Sequence, residues 1–345
     1  MANLRLISLS TGTPPERFTQ EEMISLLGIT DEKRLRFFRH PHVKTRHFVF
    51  TGGKLREETL AEQREKFLTH APELTSEVIT RALKSAGLKT SDLGCLVAVT
   101  SSGYFTPGLS VHLTSHMKLP KNLHRLDIAG MGCHAGLNGL QAAGNWCLAN
   151  PGKYAALVCT EISSSIYNLD TSDNNALVNS LFGDGIAVLL LCADDKKEKG
   201  KILGFSSFLI PETEDHLRYE WLSDRNLYGF QVHKMTPEII GSSVKGPLTA
   251  FLKHHSLELS DIKEWILHGG GEAILSSIQS HLKLSDESLR YSRSVLSDFG
   301  NVASGSFLFS FERLLNEKKL QSGDHVIFMA MGPGLSLELA LMKWQ

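Results

Sequence analysis

Ala86-Gly-Leu-Lys-Thr-Ser-Asp-Leu-Gly-Cys-Leu-Val-Ala-Val-Thr-Ser-Ser-Gly103 decides the fold, because the chain writes the same pattern again as His255-Ser-Leu-Glu-Leu-Ser-Asp-Ile-Lys-Glu-Trp-Ile-Leu-His-Gly-Gly-Gly271. Each stretch reads as a helix end, a turn, a short apolar strand and a glycine-containing loop. The match sets Asp92 against Asp261, 169 positions later. The same spacing carries Cys133, in Gly130-Met-Gly-Cys-His-Ala-Gly136, to within one residue of Asn301, in Phe299-Gly-Asn-Val-Ala-Ser-Gly305. Slightly further on, Pro151-Gly152 is answered by Ser322-Gly323. A duplicated unit is the economical explanation of so many concordant landmarks.

Working outward, apolar runs rich in branched residues recur at Cys95 to Thr100, Tyr154 to Cys159, Ile186 to Leu191, Trp265 to Leu267 and His325 to Met329. Between them lie helical patterns, among them Glu73 to Ala86 with Gly87 as its stop signal. Short buried strands alternating with helices predict an α/β layer protein. The charged run Asp194-Asp-Lys-Lys-Glu-Lys-Gly200 breaks the pattern just past the middle. It divides the chain into an expected first half, residues 1–200, and a second, residues 201–345.

With 345 residues, 42% hydrophobic and 21% charged, the chain can bury a large core, which excludes disorder as its dominant state. Lys and Arg number 36 against 37 Asp and Glu, so no extended basic face for nucleic acid or anionic lipid is expected. No apolar stretch reaches the roughly 18 residues of a membrane span, and the start lacks a basic region followed by a long apolar one. The five cysteines are odd in number and show no CxxC spacing, which suggests neither a disulfide framework nor a zinc site. A reduced cytoplasmic chain, with no metal and no dinucleotide fingerprint, is the expectation.

Three residues stand out chemically. Cys133 follows the apolar strand Leu126 to Ala129 and precedes a helical pattern from Ala135 to Leu148, so its thiol is placed at a helix N-terminus, where free N–H groups and the dipole favour thiolate. A small buried core cysteine is the ordinary alternative. His268 ends the strand Trp265-Ile-Leu and precedes Gly269-Gly-Gly271, which allows close approach to its ring. Asn301 sits among small residues before the helical pattern Phe307 to Leu315, where it reads equally as a cap or as an amide aimed into a cleft. Nucleophile, imidazole and neutral amide together suit acyl transfer to sulfur and stabilisation of an enolate.

The order Cys133, His268, Asn301, with Leu181-Phe-Gly-Asp-Gly185 between and Gly332-Pro-Gly334 near the end, resembles a thiolase-fold condensing enzyme, specifically a type III polyketide synthase of the chalcone synthase kind. The resemblance covers residues 70 to 345 well and the first 60 more weakly. It implies a duplicated fold layered α-β-α-β-α, a homodimer, malonyl-CoA with an acyl-CoA starter as substrates, and no cofactor. By the same resemblance Cys133 carries the growing chain, while His268 and Asn301 promote malonyl-CoA decarboxylation. Phe182 and Phe230 fall at two aromatic gatekeeper positions. Lys33 and Arg36 match basic residues that meet the CoA phosphates, the third such position falling on His40. Thr106 matches a loop residue that reaches the partner's cavity, and Gly271, Gly332, Pro333 and Gly334 complete the implied substrate-facing set. Gly130-Met-Gly-Cys-His-Ala-Gly-Leu-Asn138 is nearer in motif to bacterial 3,5-dihydroxyphenylacetyl-CoA synthases than to plant members, which carry proline where this chain has Gly269.

Rival readings make different demands. A ketoacyl-carrier-protein synthase III usually has asparagine three residues after the histidine, where this chain has Gly271. A biosynthetic thiolase needs a second cysteine in the C-terminal glycine loop, and Met331-Gly-Pro-Gly334 has none. A non-catalytic partner subunit has no chemical need for Cys133, His268 and Asn301 together.

Overall fold

The computed structural model describes residues 3–39, 42–50, 55–167, 169, 172–195, 200–223 and 226–345. Within these the chain runs β1 (Asn3–Gly12), β2 (Arg17–Thr19), α1 (Gln20–Leu27), α2 (Glu32–Phe38), β3 (Thr45–His47), α3 (Leu60–Ala86), β4 (Leu93–Thr100), α4 (Leu109–His116), β5 (His124–Ala129), α5 (Ala135–Ala149), β6 (Tyr154–Glu161), α6 (Asp173–Leu181) and β7 (Gly185–Asp194). It continues through β8 (Gly200–Leu209), β9 (Leu217–Leu222), β10 (Leu227–Val232), α7 (Thr236–His254), β11 (Ile262–Leu267), α8 (Glu272–Leu282), α9 (Arg290–Phe299), α10 (Ser306–Glu317), β12 (His325–Gly332) and β13 (Ser336–Trp344).

Nine strands hydrogen-bond in the order β11-β12-β13-β8-β1-β7-β6-β4-β5. From β1 outward the pairings are antiparallel to β7, antiparallel to β6, parallel to β4 and parallel to β5. From β8 outward they are antiparallel to β13, antiparallel to β12 and parallel to β11. One pattern is therefore used twice, with β5 as the extra strand of the first set, and the two sets meet at the Arg5–Lys201 pair.

Strand periodicity then builds the layers, because successive side chains leave opposite faces. On β4, Leu96 and Ala98 pack against α3 and α4, whereas Val97 and Val99 face α5. On β12, Ile327 and Met329 join the core under α7 and α8, whereas Val326 and Phe328 join the core of α5 and α10. Helices α5 and α10 are thus covered by sheet on both sides, and the five layers read α-β-α-β-α.

The repeated landmarks hold locally. Asp92 and Asp261 each close a one-turn 3-10 helix before a strand and accept the backbone N–H three residues back, from Lys89 and Glu258. Gly152 and Gly323 each take positive φ just before β6 and β12. The helix expected from Glu73 starts earlier, at Leu60, where Thr59 and Glu62 form a reciprocal cap, and it continues through Pro72. No helix among the described residues is long and apolar enough to cross a membrane.

Candidate active site

Cys133 lies in the tight turn Gly132–His134, between the end of β5 and the start of α5. Gly130 and Gly132, both at φ +79°, make that reversal possible. A Cβ on Gly132 would stand 2.5 Å from Pro333, and one on Gly332 would stand 2.2 Å from His134 Nδ1. The Gly332-Pro-Gly334 loop therefore backs the nucleophile's turn by close contact.

Asn301 occupies the matching turn of the second repeat, before α10. Its Oδ1 accepts the Ala303 N–H at 2.9 Å, which leaves the amide nitrogen to face Gly270 O at 3.4 Å and the Cys133 sulfur. Its backbone is paired with the end of α6, donating to Leu181 O at 2.8 Å and accepting from Gly183 N at 3.1 Å. His268 follows β11 and is held by its N–H on Met329 O at 2.8 Å. The residue is 3% exposed and its Nδ1 has no hydrogen-bond partner among the described residues.

The three side chains share one cleft of about 710 Å³ including its mouth, otherwise walled by apolar groups such as Leu181, Phe182, Leu217, Phe230 and Ile240. The Phe182 and Phe230 rings meet edge to face, 5.9 Å between centroids. Gly271, at φ +154°, begins α8 on the cleft wall.

Burial dominates the electrostatics. It pushes the Cys133 thiol up to about 12, helped by the nearby Glu161 carboxyl, against the hydrogen bonds from Asn301 and from its own N–H. The thiolate expected from a helix N-terminus is therefore not the resting form. The turn that carries Cys133 is sealed from water, and a first-turn dipole is smaller than that desolvation. His268 is held neutral, down to about 3, by burial and by His134, with the Ala303 carbonyl acting weakly the other way. The resting pair is a thiol and a neutral imidazole.

Sequence reasoning passed over Glu161. It is fully buried at the end of β6 and accepts from the Ser101 N–H at 3.0 Å, the Ser102 hydroxyl at 3.0 Å and the Ser304 hydroxyl. Burial raises its carboxyl above the usual range despite those donors. The signal was present: a carboxylate closing an otherwise apolar strand run.

The remaining candidates lie elsewhere. Lys33 projects from α2 and pairs at 2.6 Å with Asp173, the first residue of α6, while Arg36 is exposed three residues on. Thr106 is exposed between β4 and α4. Pro333 and Gly334 line a separate cleft beside Tyr104 and Arg218. None of these, nor Gly332, is on the wall of the Cys133 cleft. His40 lies outside the described residues. No cluster of three or more His, Cys, Asp or Glu able to hold a metal occurs among the described residues.

Residues 7–195 match the N-terminal domain of chalcone and stilbene synthases, and residues 203–344 match the C-terminal domain. A 3,5-dihydroxyphenylacetyl-CoA synthase of Amycolatopsis orientalis is 35% identical over 346 residues, covering 99% of this chain and 93% of that protein. The 1,3,6,8-tetrahydroxynaphthalene synthase of Streptomyces coelicolor is 30% identical over 352 residues, covering 97% and 91%. Its crystal structure, described as a bacterial type III polyketide synthase, superposes with a TM-score of 0.91 at 28% identity over 99% of both chains. PKS-I from the brown alga Ectocarpus siliculosus gives 0.91 at 27% identity, covering 100% and 99%. Two domain matches that together span almost the whole chain, on a five-layer fold with this cleft at its centre, establish that the protein belongs to the chalcone and stilbene synthase family, the malonyl-CoA-dependent type III polyketide synthases.

Proposed function

We propose that Cys133 is the chain carrier and that His268 and Asn301 are the decarboxylation pair. The observation that carries this is their convergence on one cleft with otherwise largely apolar walls. The Cys133 sulfur attacks an acyl-CoA thioester while His268 takes the thiol proton. The carbon–sulfur bond to CoA breaks, and the proton passes to the departing CoA sulfur. Malonyl-CoA then loses carbon dioxide, and the electron pair moves to the thioester oxygen, where His268 and the Asn301 amide donate to the enolate. The enolate carbon attacks the Cys133 thioester and releases the sulfur, extending the chain by two carbons. Every group used is a side chain already in the cleft, so the sequence of steps calls for no metal or redox cofactor.

A product of the 3,5-dihydroxyphenylacetyl-CoA kind is our reading of its nature. It is supported by the similarity of the Cys133 motif and by the identity to relatives of that name. We assign Lys33 and Arg36 to CoA phosphates, on the helix packed against the start of α6, and we divide the chain at residue 200. We also propose a cytoplasmic homodimer. Among the described residues strand β5 ends the nine-strand order with one edge unpaired, and Leu126 on that strand, with Met131 and Tyr104, is exposed. Such an edge invites a second copy, whose Thr106 loop would then border the neighbouring cleft.

Incubation of the protein with malonyl-CoA, alone and with acyl-CoA starters, followed by intact mass and product mass, tests the assignment. An acyl adduct is expected on the parent and absent from Cys133→Ala. An adduct that survives in that variant overturns it.

A further inference from the structure

We propose that Arg46 is a positioning residue that fixes the end of α6, and with it Phe182, at the opening between the Cys133 cleft and a second, polar chamber, and so sets how far a chain grows before release. This rests on Cys133 being the chain carrier.

Arg46, on β3, is the largest fully buried side chain among the described residues. Its Nη1 donates to Asn179 O at 2.6 Å and to Phe182 O at 3.0 Å, and its Nη2 donates to Ser180 O and to the Gln20 side chain. Among the described residues it makes no ion pair. A guanidinium without a carboxylate is costly in the interior unless its donors are matched; here both Nη groups meet the negative end of a helix, while Nε has no hydrogen-bond partner among the described residues.

Helix α6 needs that cap. It has no basic residue in its last turn, and it ends on Phe182 at φ −74°, ψ 149° rather than on a left-handed glycine. Gln20 Nε2, on Ser180 O at 3.1 Å, and the Tyr167 hydroxyl, on Asn179 O at 2.5 Å, assist from the sides. The next residue, Gly183, is wedged so tightly that a Cβ there would lie 2.3 Å from Phe299 O and 3.2 Å from Arg46 Cβ. Phe182 is therefore gripped by Arg46 at its carbonyl and by the Asn301 backbone through both of its neighbours.

The position so fixed separates two spaces. Val178, Phe182 and Phe230 belong both to the Cys133 cleft and to a chamber of about 470 Å³ lined by Ser102, Ser163, Tyr167, Asn179 and Tyr219. One space is apolar and the other is rich in hydroxyl and amide groups. A growing poly-β-keto chain meets hydroxyl and amide groups beyond His268 and Asn301 by passing Phe182 into the second. The guanidinium fork offers two separated nitrogens in a fixed plane, a geometry that the single nitrogen of a lysine ammonium does not reproduce.

Arg46→Lys keeps the charge and loses the fork. With purified protein, malonyl-CoA and an acyl-CoA starter, carbon dioxide release and the ratio of full-length to early-released products are read together. We expect the ratio to fall by about 10-fold, as for a displaced positioning group, with a smaller fall in carbon dioxide release. Arg46→Lys added to Phe182→Leu should leave the ratio of Phe182→Leu unchanged, because both act through one side chain. If Arg46→Lys does not fold, Gln20→Met, which removes one acceptor of the guanidinium, is read in the same way and should shift the ratio in the same direction. A folded variant with the parent's product ratio, at full or uniformly reduced rate, overturns the proposal. Failure of the parent to acylate Cys133 would instead overturn the site assignment, whatever Arg46 does.

Discussion

Gly136→Ala adds one methyl group where the two repeats touch. A Cβ on Gly136, in the first turn of α5, would lie 2.1 Å from Ser304 O and 2.7 Å from the Phe307 ring. An ordinary carbon–oxygen contact is about 3.3–3.6 Å, so α5 must move away from the start of α10 by roughly 1 Å. Backbone stands on one side and a fully buried ring on the other, so a rotamer change cannot absorb the clash. The helix carries Cys133 at its head, and the opposing segment carries Asn301, so the displacement opens the distance between sulfur and amide. Overpacking of this kind costs about 1–3 kcal/mol of stability. A misplacement of about 1 Å at reacting groups costs about 10²-fold in rate. Urea unfolding and carbon dioxide release from malonyl-CoA read the two effects separately. Gly246→Ala is the control: it is an exposed position of α7 with nothing beyond its chain neighbours within 4 Å of its would-be Cβ, so activity should be unchanged, while Pro247, next in the helix, offsets the stability that alanine otherwise adds over glycine. A Gly136→Ala protein that keeps the parent's decarboxylation rate would refute the reasoning that this contact sets the geometry of the site.

Other expectations follow from the same geometry. Asn301→Ala and His268→Ala should each lower malonyl-CoA decarboxylation by about 10²–10³-fold, and parent-like carbon dioxide release from both would remove them from the site. His268 and His134 are held neutral to about 3 and about 4, below the ordinary 6.5. Their contribution to stability is therefore intact above pH 6.5 and is lost as the pH falls from 6.5 toward those values, because the unfolded chain takes up protons that the native state refuses. At pH 5 the loss is about 2 kcal/mol for each. Urea midpoints at pH 7.5 and pH 5 should differ less for His268→Gln than for the parent, and equal differences would count against the burial argument. Leu126→Glu, on the open edge of β5, should give a monomer by light scattering, and a persistent dimer would place the interface elsewhere.

Much of the architecture was legible in the chain alone, because it rests on local periodicity. Alternating apolar residues around Val97 and Phe328 mark strands whatever surrounds them, and Gly87 stops a helix wherever the helix lies. The duplication was legible for the same reason: Asp92 and Asp261 perform the same three-residue turn, so one sequence pattern recurs at a fixed distance. Cys133, His268 and Asn301 could be paired with a chemistry because each stands at a strand or helix end beside small residues. Burial and proximity, by contrast, are sums over elements distant in sequence, and these the tertiary structure alone decided. A helix N-terminus argued for thiolate at Cys133, but burial of the sulfur and Glu161, which arrives from β6, reverse that for the resting protein. Lys33 read as a partner of the CoA phosphates, and the structure pairs it across to Asp173. Gly332 and Pro333 read as substrate-facing, and only the structure shows that they also press against His134 and Gly132. Nothing in Thr45-Arg-His47 announces a buried guanidinium, because most of its partners are backbone carbonyls, which every residue carries and no sequence pattern displays.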